Sequence, residues 1–215
     1  MNDKRLKRLA QGAGIGAGAL ALLYALALRP WQQRWGTTEE ELLGVLPGDD
    51  QVRDPVVETT RAVTIDAPPR AVWPWIVQIG TGRAGWYSYD WVESLMGLRV
   101  RSAERIMPEL QALNVGDVIP VRADGGGAPV VAVEPNGHLV VAAHDDVVGD
   151  FSWSFVLRAA GTERQTRLIV RMRGRPKVTA ASLPWLVAVD PGEFLMTRKM
   201  LLGIKARAER PPAAA

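Results

Sequence analysis

From Leu9 to Leu28 runs an apolar stretch of about 20 residues in which Gln11 is the only strongly polar member. At ~1.5 Å rise per residue this makes ~30 Å of helix, the thickness of a bilayer's hydrocarbon core. No amphipathic stripe marks it as the surface helix of a globular domain. Lys4, Arg5, Lys7 and Arg8 precede it, and Trp31 and Trp35 follow it. Tryptophan favours the headgroup zone, because its ring is apolar and carries one N–H donor. The reading is a basic tail over 1–8 and a membrane-spanning helix or signal anchor over 9–28. The distribution of basic residues favours an N-terminus inside and a single-pass chain with its domain on the extracytoplasmic side. Ala25-Leu26-Ala27 has the small-x-small form of a cleavage site, so a cleaved signal peptide is the alternative. Gly12 with Gly16, and Gly14 with Gly18, have the spacing of helices that pack closely in membranes. A helix-mediated dimer and an unpartnered helix rich in small residues fit that spacing equally, and the oligomeric state stays open.

Composition narrows the rest. Of 215 residues, 47% are hydrophobic and 23% charged, the balance of a chain that can bury a core. The formal net charge is +3. The tail over 1–8 accounts for all of it, so the pI near 9.5 marks no nucleic-acid-binding face. Cysteine is absent, which excludes disulfides, thiol catalysis and thiolate metal sites.

Residues 29–56 read as a linker, with an acidic run at Glu39 to Glu41 and turn chemistry at Leu46-Pro47-Gly48-Asp49-Asp50. Thr60 to Ala67 alternates as a half-buried strand. Pro68-Pro69 opens a short helix to about Gln78, with Pro74 inside it. Gly80 to Gly85 is a turn, and a second short helix spans about Ser88 to Met96. Strands are expected at Asp117 to Arg122, Pro129 to Glu134, Leu139 to Ala143, Phe151 to Leu157 and Thr166 to Arg173. In the last of these Arg167, Arg171 and Arg173 form the polar face, read as solvated. Asp190-Pro191-Gly192-Glu193 resembles a capping box that starts a final helix. Phe194, Met196, Met200, Leu201, Ile204 and Ala208 share its broad apolar face. The domain spans 57–210, and 211–215 is a disordered tail.

The order of strand, two short helices, antiparallel strands and one long helix is α+β in the helix-grip arrangement. On that order the chain resembles the START/polyketide-cyclase-like (SRPBCC) superfamily, in a membrane-anchored branch. The residues that carry the resemblance are Ala67-Pro68-Pro69-Arg70-Ala71-Val72-Trp73-Pro74-Trp75, Gln78-Ile79-Gly80, Gly82 through Trp91, and Met196 through Leu201. It implies a curved antiparallel sheet wrapped around the long C-terminal helix, with a cavity between them for sterols, lipids or polyketides. It carries over no catalytic residue and no cofactor.

The candidate ligand-binding residues are Trp75, Trp86, Tyr87, Tyr89, Asp90, Glu93, Trp153, Met196 and Met200. Trp86 to Glu93 sets aromatics beside two carboxylates, the make-up of a pocket wall. Core packing, with a carboxylate held by Arg83, is the competing reading. Gly80-Thr81-Gly82-Arg83-Ala84-Gly85 fits G-x-G-x-x-G, but it follows a helix rather than a strand, so it reads as a tight turn. His138 and His144 are the only histidines, and no metal site is expected. The expected function is membrane-anchored binding of an apolar small molecule or lipid. The alternatives are a cyclase- or dehydratase-like enzyme using a pocket carboxylate and a tyrosine, and a non-catalytic module of an envelope complex.

Overall fold

The structure is a computed structural model that describes residues 22–95, 97–98, 100–145, 149–177 and 183–210. Residues 9–21 of the apolar run, with the paired glycines, lie outside the described residues, as do 1–8 and 211–215. Among the described residues no helix is long and apolar enough to cross a membrane.

A π-helical turn at Tyr24–Leu28 leads into α1, Arg29–Gln33, and α2 follows at Glu39–Leu43. Then come β1 (Val57–Ile65), α3 (Pro69–Val77) and α4 (Asp90–Leu95). Strands β2 (Val118–Pro120), β3 (Gly127–Glu134), β4 (His138–Asp145), β5 (Gly149–Ala160) and β6 (Thr162–Pro176) precede α5 (Leu183–Ala208). The fold is α+β: one six-stranded antiparallel sheet, ordered β1-β6-β5-β4-β3-β2, with a long C-terminal helix.

Alternation in the strands decides what each face buries. Phe155 and Leu157 of β5, Leu168 and Val170 of β6, and Leu139 and Val141 of β4 form one core with Val72, Trp75 and Ile76 of α3. Met200, Leu201, Ile204 and Ala208 of α5 complete it. Each such side chain contributes about 1.5–3 kcal/mol on burial. Helix α5 begins seven residues before the expected start at Asp190. The carboxylates that look like caps are engaged by distant partners instead. Asp190 accepts from Tyr24 at 2.8 Å and Arg29 at 3.0 Å, and Glu193 pairs with Arg61 at 2.6 Å.

The opposite face corrects two readings. Residues 36–52 do not hang as a free linker; they lie across the sheet as a strap. Leu46 packs on Ala62, Val156 and Ile169. Gly48 has φ 91°, and a Cβ there would meet Ser154 Oγ and Val140 Cγ1 at 2.5 Å. Arg167, Arg171 and Arg173 of β6 are not a solvated face, because they hold this strap. Arg171 is 4% exposed. It spends all five N–H donors: on Asp49 (2.6 Å), the carbonyls of Gly44, Glu41 and Leu42 (2.8–3.0 Å), and Thr60 (2.9 Å). Arg167 forks onto Glu41 at 2.6 and 2.8 Å, and Arg173 Nη1 donates to the Asp49 carbonyl at 2.5 Å.

Candidate functional site

The segment between α3 and α4 is built on tight turns. Gly80 and Gly85 bridge each other, with φ of 133° and 77°. At Gly85 a Cβ would come within 2.9 Å of Ser102 Cα. The G-x-G-x-x-G pattern is therefore a helix-to-helix turn. Tyr87 follows in the left-handed region at φ 56°. Such a conformation persists in a bulky residue only when its surroundings over-determine it, and here they do. The Tyr87 N–H donates to Ser102 Oγ at 3.0 Å. Its hydroxyl accepts from Gln78 at 2.8 Å. Its ring meets Trp75 edge-on at 5.8 Å, and the Arg207 guanidinium lies 4.7 Å from the ring centroid. Burial pushes the phenol up to about 12, against the opposing pull of Gln78 and Arg207.

On α4 the two candidate carboxylates sit three residues apart. Asp90 accepts from Ser102 Oγ at 2.6 Å and from the Ser102 N–H at 2.9 Å, which pins α4 to the following segment. Glu93 is 2% exposed, and among the described residues neither carboxylate oxygen has a hydrogen-bond partner. Burial first, and then the charge of Asp90, push its carboxyl up to about 7. Arg83 holds neither carboxylate. It donates to the carbonyls of Val77, Ile79 and Leu110.

The aromatic residues divide into two groups. Trp75, Tyr87 and Met200 lie in the core. Trp86 and Trp153 are only partly buried and stack at 5.6 Å and 22°, and Trp153 continues onto Phe155 at 4.8 Å. The Trp86 indole N–H donates to Thr81 at 3.1 Å. Ser88 donates to the Met196 carbonyl at 3.0 Å, tying the aromatic segment to α5. The Lys199 ammonium lies 5.8 Å from the Tyr89 ring centroid. The structure thus brings Trp86 together with Trp153, and Asp90 with Glu93.

Between sheet and α5, where a cavity was expected, Trp75, Phe155, Leu168, Met200, Leu201 and Ile204 pack in one buried core. Two depressions among the described residues lie elsewhere. One of about 560 Å³ is lined by Glu40, Glu41, Arg158 and Arg167; one of about 250 Å³ by Pro30, Arg34, Leu42 and Glu58. His138 and His144 sit near Glu134 and Asp150 at 3.2 and 3.3 Å, and no group of three potential metal ligands occurs among the described residues.

Sequence reasoning missed Ser102, Gln78 and Arg207. Gln78, fully buried, links Tyr87 to the Arg105 carbonyl, the Met107 N–H and Gln111. A glutamine ending a helix within an apolar stretch was the one available signal. Ser102, in an irregular segment, offered none.

No family model matches the chain, and no curated protein does. Solved structures do. Protein CV1439 from Chromobacterium violaceum is 14% identical, with a TM-score of 0.43 over 72% of this chain and 98% of that one. The di-domain ARO/CYC protein StfQ from the steffimycin biosynthetic pathway is 14% identical, with a TM-score of 0.43 over 75% of this chain and 53% of that one. CalU16 from Micromonospora echinospora is 14% identical, with a TM-score of 0.35 over 71% and 83%. The chain spans about half the length of StfQ. With identities this low and TM-scores below 0.5, these likenesses assign neither family nor activity.

Proposed function

We propose that the chain is a membrane-tethered acid–base catalyst of the cyclase or dehydratase type, acting on an apolar small molecule, with Glu93 as its proton-exchanging group. One observation carries this reading: a carboxyl shut away from water, with no donor to either oxygen among the described residues, raised to about 7. An orphan acid of that kind costs stability. Its pKa lies where a general acid and base work best near neutral pH. In a dehydration, the Glu93 carboxyl protonates a departing hydroxyl. The C–O bond breaks, water leaves, and the carboxylate takes the proton from the adjacent carbon, restoring the acid. Seven residues upstream, the partly exposed Trp86–Trp153 stack offers a flat apolar contact for a ring-bearing substrate. Asp90, fixed by Ser102, keeps a negative charge close to Glu93 and favours its protonated form. The tether is the apolar run over 9–28. Its last turns carry exposed Leu22, Leu23 and Leu26, which supports contact with lipid.

The test compares compounds co-purifying with the full chain and with Glu93→Gln, by mass spectrometry of solvent extracts. The variant is expected to hold a compound one water heavier than the wild type's. The same compound in both, or none in either, would overturn the catalytic reading. A second reading, a non-catalytic interaction module, is favoured by the exposed Trp91 and Leu95 on α4. It expects no effect of Glu93→Gln on any small molecule.

A further inference from the structure

Helix α4 has its polarity inside out. Its two large apolar side chains, Trp91 and Leu95, are 66% and 79% exposed, while Glu93 between them is 2% exposed. At ~100° per residue Trp91 and Leu95 point ~40° apart, and Glu93 lies ~180° from the midpoint between them. A surface helix turns its apolar stripe to the core and its charges to water. Here that order is reversed, and neither Glu93 oxygen finds a hydrogen-bond partner among the described residues. The two faults lie on opposite sides of one helix, so a half-turn of α4 about its own axis corrects both.

The way α4 is held allows such a turn. The Val92 and Glu93 N–H groups donate to the Tyr89 carbonyl at 2.9 and 3.2 Å, and the Ser94 hydroxyl donates to the Asp90 carbonyl at 2.7 Å. These bonds are internal and turn with the helix. Two attachments oppose the turn: the bonds from Ser102 to Asp90 at 2.6 and 2.9 Å, and the Leu98 N–H bond to the Glu93 carbonyl at 2.9 Å. Upstream, Ser88 is tied to the Met196 carbonyl at 3.0 Å and Tyr87 is buried, so this end stays in place. Downstream, Gly97 has φ 79°, and nothing stands within 4 Å of where its Cβ would be, so the chain has room to twist. Residues at the ends of an element commonly absorb the φ/ψ change of such motions.

We propose that α4 is a two-position switch that rolls by about half a turn, carrying Glu93 out to water and Trp91 with Leu95 in toward the core. The structure holds the inward position, fixed by the Ser102 bonds to Asp90. In the outward position the carboxyl is hydrated, and the two apolar side chains cover the space it leaves. The balance sets a buried, unpartnered acid and two exposed apolar groups against the bonds of Asp90 and Leu98. Rolled in, the acid faces the interior; rolled out, the interior has no acid and the chemistry assigned to Glu93 stops. The roll itself does not require Glu93 to be catalytic.

The chain has no cysteine, so an introduced thiol is unique. Glu93→Cys, Leu95→Cys and Val141→Cys would each be made in the full chain, checked for folding by thermal melts, and labelled with N-ethylmaleimide in mild detergent. Leu95 gives the rate of an exposed thiol, and Val141, buried in the core on β4, the rate that requires unfolding. The thiol at position 93 is expected to react more slowly than that at 95 but at least about tenfold faster than that at 141. Adding Trp91→Lys and Leu95→Lys to Glu93→Cys puts charges where the roll buries apolar groups, and should slow labelling by about tenfold or more. A thiol at 93 as slow as that at 141 would overturn the switch. Fast labelling that the two lysines leave unchanged or speed up would mean that α4 peels away rather than rolls, and would overturn it equally. Labelling reads the position of the side chain alone, so its outcome is separate from that of the extract comparison with Glu93→Gln.

Discussion

Glu41, in the strap on the sheet's outer face, and Glu93, on α4, are 7% and 2% exposed. Their surroundings differ in the partners each carboxylate meets. Glu41 receives both prongs of Arg167 and closes a capping box with Thr38. Burial pushes the Glu41 carboxyl up, but hydrogen bonds from Arg167 and Thr38, with the Arg167 charge, outweigh it and hold the carboxyl below the ordinary range. Glu93 has the burial without the donors, and is raised to about 7. Desolvation raises both; the partner decides whether a buried carboxylate is held charged or pushed toward its neutral form.

The largest effect expected on either side is at the strap. Arg171→Ala should cost about 3–5 kcal/mol, because Asp49 and three carbonyls lose their donor in a buried setting. Urea unfolding of the full chain measures it, and a cost under ~1 kcal/mol would mean the strap is not held from β6. Next is the same substitution at both glutamates. A carboxyl raised on folding binds its proton more tightly in the folded state, so its penalty begins above the unfolded pKa and is complete above about pH 7. Glu93→Gln should therefore raise stability by up to ~3 kcal/mol at pH 8 and leave it unchanged at pH 4. Glu41→Gln should cost about 1–3 kcal/mol at pH 8, shrinking as the pH falls through the lowered pKa. Melts at the two pH values check both signs, and equal signs at pH 8 would break the comparison. Smallest is Thr38→Ala, which removes one capping bond at 3.2 Å and should cost about 1 kcal/mol in the same melts.

The period of two in Phe151 to Leu157 and in Leu168 to Met172 made β5 and β6 readable, and the spacing of Met200, Leu201 and Ile204 did the same for most of α5. The strap escaped for a physical reason. A polar strand face has the same pattern whether water or another segment covers it, and three of the five acceptors on Arg171 are main-chain carbonyls, which no side-chain pattern reveals. At the candidate site, Asp90 and Glu93 were visible as carboxylates, but their unequal environments were not. One is satisfied by a serine twelve residues away and the other by none of the described residues, and only tertiary packing separates them. The start of α5 was masked by a local cap signal whose carboxylates are taken up by residues from the other end of the chain.

The strap also sets an order of events. Arg171 joins β6 to residues that precede it by 122 to 130 positions. On a ribosome adding ~5–20 residues per second, Glu41 and Asp49 emerge on the order of ten seconds before the arginine that will hold them. Through that interval Leu46 has no sheet to lie on. Sealing the outer face must therefore follow the pairing of β5 and β6, and it closes one of the long loops of the domain.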